Sequence, residues 1–169
     1  MPDHALRFSD LPPLPSPKGP ARDAPAAALP PPASLGLSVE RQLAACRRNG
    51  TLLSVLSLHL IGFDAVVRRH GDAVESQVRH AAWTRLLSHL RGPDLAVHVG
   101  HDEFGAVLHG AAGPVAELVS ARVAKALSAP YCIGALEIMI SVRRGAASYP
   151  HAGSSGEALA RIAALSRHV

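Results

Sequence analysis

The chain has 169 residues, 48% hydrophobic and 18% charged, which suits one domain with a packed core and not two. Two cysteines are too few for a disulfide framework, and a formal net charge of +4 is too small for a nucleic-acid-binding surface. Met1 to Gly19 lacks the apolar run of a signal peptide. The longest apolar stretch, Leu52 to Phe63, is interrupted by Ser54, Ser57 and His59 and is too short to cross a bilayer. The expectation is a cytoplasmic protein with no membrane insertion.

Ten of the fourteen prolines precede Ser38, and alanine fills much of the rest. Proline removes backbone donors and alanine offers little apolar area, so residues 1–38 read as a disordered Pro/Ala-rich leader and residues 39–169 as the folded domain. Ser38 is expected to cap a short helix that puts Val39, Leu43 and Cys46 on one face and stops at Asn49-Gly50. Thr51 to Phe63 reads as a buried strand, followed by a helical turn to Arg69. Asp72 and Glu75 form a D-x-x-E capping pattern for a helix carrying Val78, Ala82, Trp83, Leu86 and Leu90 on its inner stripe. Gly92-Pro93-Asp94 should end it near Arg91.

Leu95–Val99 and Phe104–His109 read as two strands of a hairpin with an acidic tip, Gly100-His101-Asp102-Glu103. Pro114 opens a helix to about Ser128. Leu136, Ile138, Ile140 and Val142 alternate with Glu137, Met139, Ser141 and Arg143 as one half-buried strand, and a helix over Gly156–Ser166 closes the chain. This order implies an α+β fold: a βαββαβ core whose mostly antiparallel sheet is flanked by helices.

The segment Gly100-His101-Asp102-Glu103-Phe104 resembles the GGDEF motif of diguanylate cyclase domains with one position changed. Without gaps, the likeness runs back through Arg91-Gly92-Pro93-Asp94, which matches the family's RxxD motif, and through Arg85-Leu86, Gly71 and Gly62-Phe63. It runs forward to Gly145-Ala146-Ala147-Ser148-Tyr149-Pro150, so it spans about residues 40–166.

The resemblance implies a domain that joins two GTP molecules into cyclic di-GMP (c-di-GMP) with two Mg²⁺ ions, at a site formed between two domains. Hard cations require oxygen ligands. Asp102 and Glu103 keep the hairpin pair, but the first-strand aspartate aligns with Ile61, and an earlier one aligns with His59. The guanine-reading asparagine aligns with Val67, and the aspartate of the family's Gly-Asp pair aligns with Ser76. The second hairpin glycine is His101. The D-x-L-T segment before the first helix and a lysine after the last are missing.

The resemblance therefore implies a degenerate, catalytically inactive GGDEF-type domain with no functional catalytic or metal-binding residues. Its remnant hairpin is Gly100, His101, Asp102, Glu103 and Phe104, with Mg²⁺ relevant only to residual cyclase activity. In the family, RxxD binds product, so Arg91 and Asp94 are candidate c-di-GMP ligands: arginine offers a fork of donors, aspartate an acceptor for the guanine edge. The bland alternative is a cation in the last helical turn and an aspartate in a turn. Two classes outside catalysis stay open, a c-di-GMP receptor and a protein-interaction or homodimerisation module; residual cyclase activity is a third. His59, His98 and His101 form a weak metal candidate without ligand spacing. Cys46, Cys132 and Trp83 read as core, and at least one of Arg143 and Arg144 is expected to face solvent or a partner.

Overall fold

The computed structural model describes residues 28–169; positions 1–27 of the expected leader lie outside the described residues. In chain order the elements are α1 (Leu35–Asn49), β1 (Leu53–Ile61), α2 (Phe63–His70), α3 (Asp72–Ser88), β2 (Leu95–His98), β3 (Glu103–His109), α4 (Pro114–Leu127), β4 (Tyr131–Ile133), β5 (Leu136–Ile138), β6 (Ser141–Tyr149) and α5 (Gly156–Leu165). Four strands form an antiparallel sheet in the order β2-β3-β1-β6, and β4 and β5 form a separate two-stranded ribbon. The α+β class and the antiparallel sheet flanked by helices are as the sequence predicts.

Successive residues of a strand point to opposite faces, and central β1 is buried on both. Val55 packs with Leu35, Val39, Leu43, Leu159 and Ala163, so α1 and α5 cover one face. Leu58 and Leu60 pack with Phe63, Val78, Trp83, Leu86, Val123 and Leu127, so α2, α3 and α4 cover the other. Trp83 and Cys46 are core residues, as expected.

Four local expectations are corrected. Helix α1 starts a turn early, because Ser34 rather than Ser38 accepts the capping bond from the Leu37 amide. The chain before it is tied to β2: the Ala33 N–H donates to His98 O at 2.8 Å, and His98 Nδ1 bonds Pro30 O at 2.7 Å. The Asp72/Glu75 capping box does not form; Gly71 is the N-cap and Glu75 turns inward. The single alternating strand over residues 136–142 is two strands, with exposed Met139 at the break. Cys132, read as a core thiol, is exposed on β4.

Strand β6 is a sheet edge, and the end of the chain covers it. Arg144 and His168 exchange backbone hydrogen bonds of 2.8 Å each way. Gly145 makes this approach feasible: a Cβ there would lie 2.0 Å from Ala163 O and 2.9 Å from Arg167 N.

Candidate functional site

The C-terminal end of β1, the β2–β3 hairpin and the start of α3 meet at one end of the sheet. On β1, His59 lies between Glu103 of β3 and Arg143 of β6, and Ser57 lies between Gly105 and Gly145. Neighbours opposite one another in antiparallel strands share a face, so these rows bring polar groups from three strands together.

Each hairpin carboxylate is bonded by a group from elsewhere in this chain. The Nε2–H of His59 donates to Asp102 Oδ2 at 3.0 Å, because an ionised carboxylate only accepts. The Arg167 guanidinium, on the segment after α5, donates to Glu103 Oε1, and also to Ser57 Oγ from Nε (2.9 Å) and Nη2 (2.7 Å). The Ser57 hydroxyl in turn donates to Glu103 Oε1 at 3.3 Å. The Arg167 and Glu103 side chains are 17% and 29% exposed, so the pair is partly desolvated.

A second cluster holds the other side of the hairpin. Arg79 Nη1 donates to His101 Nδ1 at 3.0 Å, which leaves the ring proton on Nε2, 3.9 Å from buried Glu75 Oε1. Arg79 Nη1 lies 3.4 Å from the same oxygen, and the Phe63 and His101 rings meet edge to face at 5.9 Å between centroids. His101 is thus anchored by an ion pair from α3. Ile61 ends β1 opposite Ser141, Val67 lies on α2 and Ser76 on α3, all half-buried.

Arg91 and Asp94 sit at the far end of β2 from the hairpin tip. Helix α3 ends at Ser88, so Arg91 lies beyond its last turn, and the dipole explanation for that cation does not apply. The Asp94 side chain is only 3% exposed. It accepts from the backbone N–H of Arg91 (3.0 Å) and of His109 (3.0 Å), and from Arg91 Nε (3.3 Å) and Nη2 (3.5 Å). Burial alone favours its neutral form, but these bonds and the Arg91 charge outweigh burial and hold the acid below its ordinary value near 3.8. Arg91 Nη2 also donates to His109 O at 2.8 Å, while its side chain is 59% exposed. Oδ1 thus ties the chain entering β2 to the end of β3, and Oδ2 holds the Arg91 turn.

The predicted histidines do not meet: His59 bonds Asp102, His98 bonds Pro30 and His101 bonds Arg79. Among the described residues no three His, Cys, Asp or Glu side chains are placed to hold a metal ion. Arg143 is exposed, and Arg144 reaches Glu117 and Ser120 of α4. Sequence reasoning missed Arg79 and Arg167. The i,i+4 spacing of Glu75 and Arg79 was a usable signal for the first; nothing local pointed to the second.

The family model described as diguanylate cyclase, GGDEF domain, matches residues 26–165. The chain belongs to the GGDEF family. Solved structures agree with this assignment. A sensory box/GGDEF family protein from Caulobacter crescentus is 25% identical, covering 78% of this chain and 86% of that one with a TM-score of 0.72. An EAL/GGDEF domain protein from M. capsulatus is 30% identical over 75% of this chain and 83% of its own, with a TM-score of 0.66. The GGDEF domain of DgcB from Caulobacter crescentus, solved in complex with c-di-GMP, has the same fold at 19% identity, covering 86% and 88% of the two chains with a TM-score of 0.72. No curated protein matches.

Mg²⁺ is the ion such a GGDEF hairpin implies, and the residues present here do not fit it. A small hard cation seeks several oxygen ligands in near-octahedral array. Here a guanidinium and an imidazole N–H point at the two carboxylates, and β1 ends in a hydrocarbon, Ile61. Arg167 and a divalent cation would compete for the same Glu103 oxygen.

Proposed function

We propose that this GGDEF domain acts in c-di-GMP signalling without making c-di-GMP. The observation that carries the reading is the bonding of Asp102 by His59 and of Glu103 by Arg167. Those contacts occupy one oxygen of each carboxylate, Asp102 Oδ2 and Glu103 Oε1, and set a guanidinium charge where a catalytic cation would need to approach. Ile61, Val67 and Ser76 support the same reading, since an isoleucine and a valine can neither ligate a cation nor read a guanine edge. Incubating the full chain with GTP and Mg²⁺ or Mn²⁺ and separating the nucleotides tests it: GTP stays unconverted, and c-di-GMP above the no-protein background overturns the reading.

The role left to such a domain is binding. One observation favours a c-di-GMP receptor: Arg91 is exposed, and among the described residues its Nη1 has no hydrogen-bond partner. Against it stands Asp94, buried and already accepting four bonds from its own chain. Receipt of a guanine edge by Asp94 would cost some of these bonds, so the protein-interaction role is the better supported of the two. Calorimetric titration with c-di-GMP, repeated on Arg91→Ala, decides between them. Heat from the wild type that is lost in the variant establishes the receptor; no heat from the wild type ends it.

A further inference from the structure

Strand β2 is the sheet edge that the chain's end does not cover. In its antiparallel pairing with β3, backbone groups alternate between facing the partner strand and facing outward. The Val99 N–H donates inward to Glu103 O at 3.0 Å, which places residues 97 and 95 on the inner set. Ala96 and His98 therefore point their N–H and C=O groups outward. The His98 carbonyl is met by Ala33, but among the described residues no backbone group meets the N–H or C=O of Ala96.

A groove of about 310 Å³ opens along this edge. It is lined by Leu95, Ala96 and Val97 of β2, by Arg41 and Gln42 of α1, and by the 30–33 segment that precedes α1. Arg41 is exposed and, among the described residues, forms no ion pair.

We propose that this edge receives an extended, acidic segment of a partner protein as an added strand beside β2. The proposal rests on the reading of the domain as a non-catalytic binding unit and gives that unit a surface and a ligand chemistry. An unpaired N–H and C=O on a sheet edge is a template for another strand, and main-chain bonds supply its affinity. A helix laid in the groove would desolvate those groups without bonding them, which costs more than it gains. The lone Arg41 cation selects a carboxylate on the incoming strand. A second copy of this chain is disfavoured by the same residue, because two-fold pairing of β2 edges brings both Arg41 side chains to one seam. Ala33 already meets the outward carbonyl of His98, which limits the free edge to a short segment around Ala96.

The test is titration of the ¹⁵N-labelled full chain with a heptapeptide alternating valine and glutamate, blocked at both ends, and with its valine–lysine counterpart. The Ala96 and His98 amides shift and exchange more slowly with the glutamate peptide. The lysine peptide, and the Arg41→Glu variant with the glutamate peptide, each bind at least about tenfold more weakly. Ala96→Pro removes the outward donor at a position where an edge strand tolerates proline, and it weakens the glutamate peptide as well. Shifts confined to another surface, or equal binding of the two peptides, overturn the proposal. So does Ala96 protection without peptide that grows with protein concentration, which identifies a second copy, or that is lost on deleting residues 1–27, which identifies this chain's own N-terminus. Synthesis of c-di-GMP by the same preparation would overturn the non-catalytic reading and leave the peptide result standing.

Discussion

Replacing Arg167 tests whether the chain's end holds the hairpin. The guanidinium bridges Glu103 and Ser57 from a segment that follows the last helix, and both members of the ion pair are partly buried. An exposed pair is worth under about 1 kcal/mol, whereas breaking a fully buried one costs about 3–5 kcal/mol. At 17% and 29% side-chain exposure, Arg167→Ala falls between these limits, at about 2 kcal/mol. For a domain of this size that lowers Tm by roughly 6 °C. Because much of the loss is the stranded Glu103 charge, a double-mutant cycle of Arg167→Ala with Glu103→Gln, followed by urea unfolding, should give a coupling energy of about 1–2 kcal/mol. Arg167→Lys should recover only part of the loss, since an ammonium lacks the planar fork that spans Ser57 and Glu103. Additive single-mutant effects, with coupling near zero, would refute the claim that Arg167 neutralises the hairpin.

Two further substitutions and a labelling experiment probe other parts of the fold. Asp94→Asn keeps the shape but removes the charge that four donors address, so at neutral pH it should cost about 2 kcal/mol. Since the folded-state pKa of Asp94 is lowered, its contribution is full above the ordinary value near 3.8 and fades as pH falls through the folded value; the gap between wild type and variant in denaturant titrations should close with acidification. Gly145→Ala drives a Cβ to 2.0 Å from Ala163 O, so α5 and the covering segment must shift, and Tm should drop by an amount corresponding to about 1–3 kcal/mol. Exposed Cys132 should react with a thiol reagent in the native protein, while buried Cys46 should react only after unfolding; equal rates would contradict the fold at β4 or α1.

Much of the architecture was legible because its signals are local. The apolar run of β1, the hairpin with its turn residues and the helix opened by Pro114 all follow from periodicity and punctuation, and the likeness around Asp102-Glu103-Phe104 placed them in a known frame. The ribbon β4–β5 was missed because the alternation of Leu136, Ile138, Ile140 and Val142 runs on across a break in backbone pairing that leaves no mark in hydropathy. Glu75 was misread for a different reason. A D-x-x-E pattern is a cap only where the first residue precedes the helix, and Gly71 occupies that place here. The partners of the hairpin were not legible at all: Arg167 reaches Glu103 across 64 positions in the chain, and only the packing of α5 on β6 through Gly145 brings them together.

The occupancy of Asp102 and Glu103 by His59 and Arg167 is tested most directly by titrating Mn²⁺ into the full chain, with and without GTP, and reading the free ion by electron paramagnetic resonance. No saturable site is expected at micromolar Mn²⁺, and Asp102→Asn and Glu103→Gln leave that result unchanged. One or two tightly bound ions that disappear in those variants would contradict it and return the hairpin to the role of a metal centre.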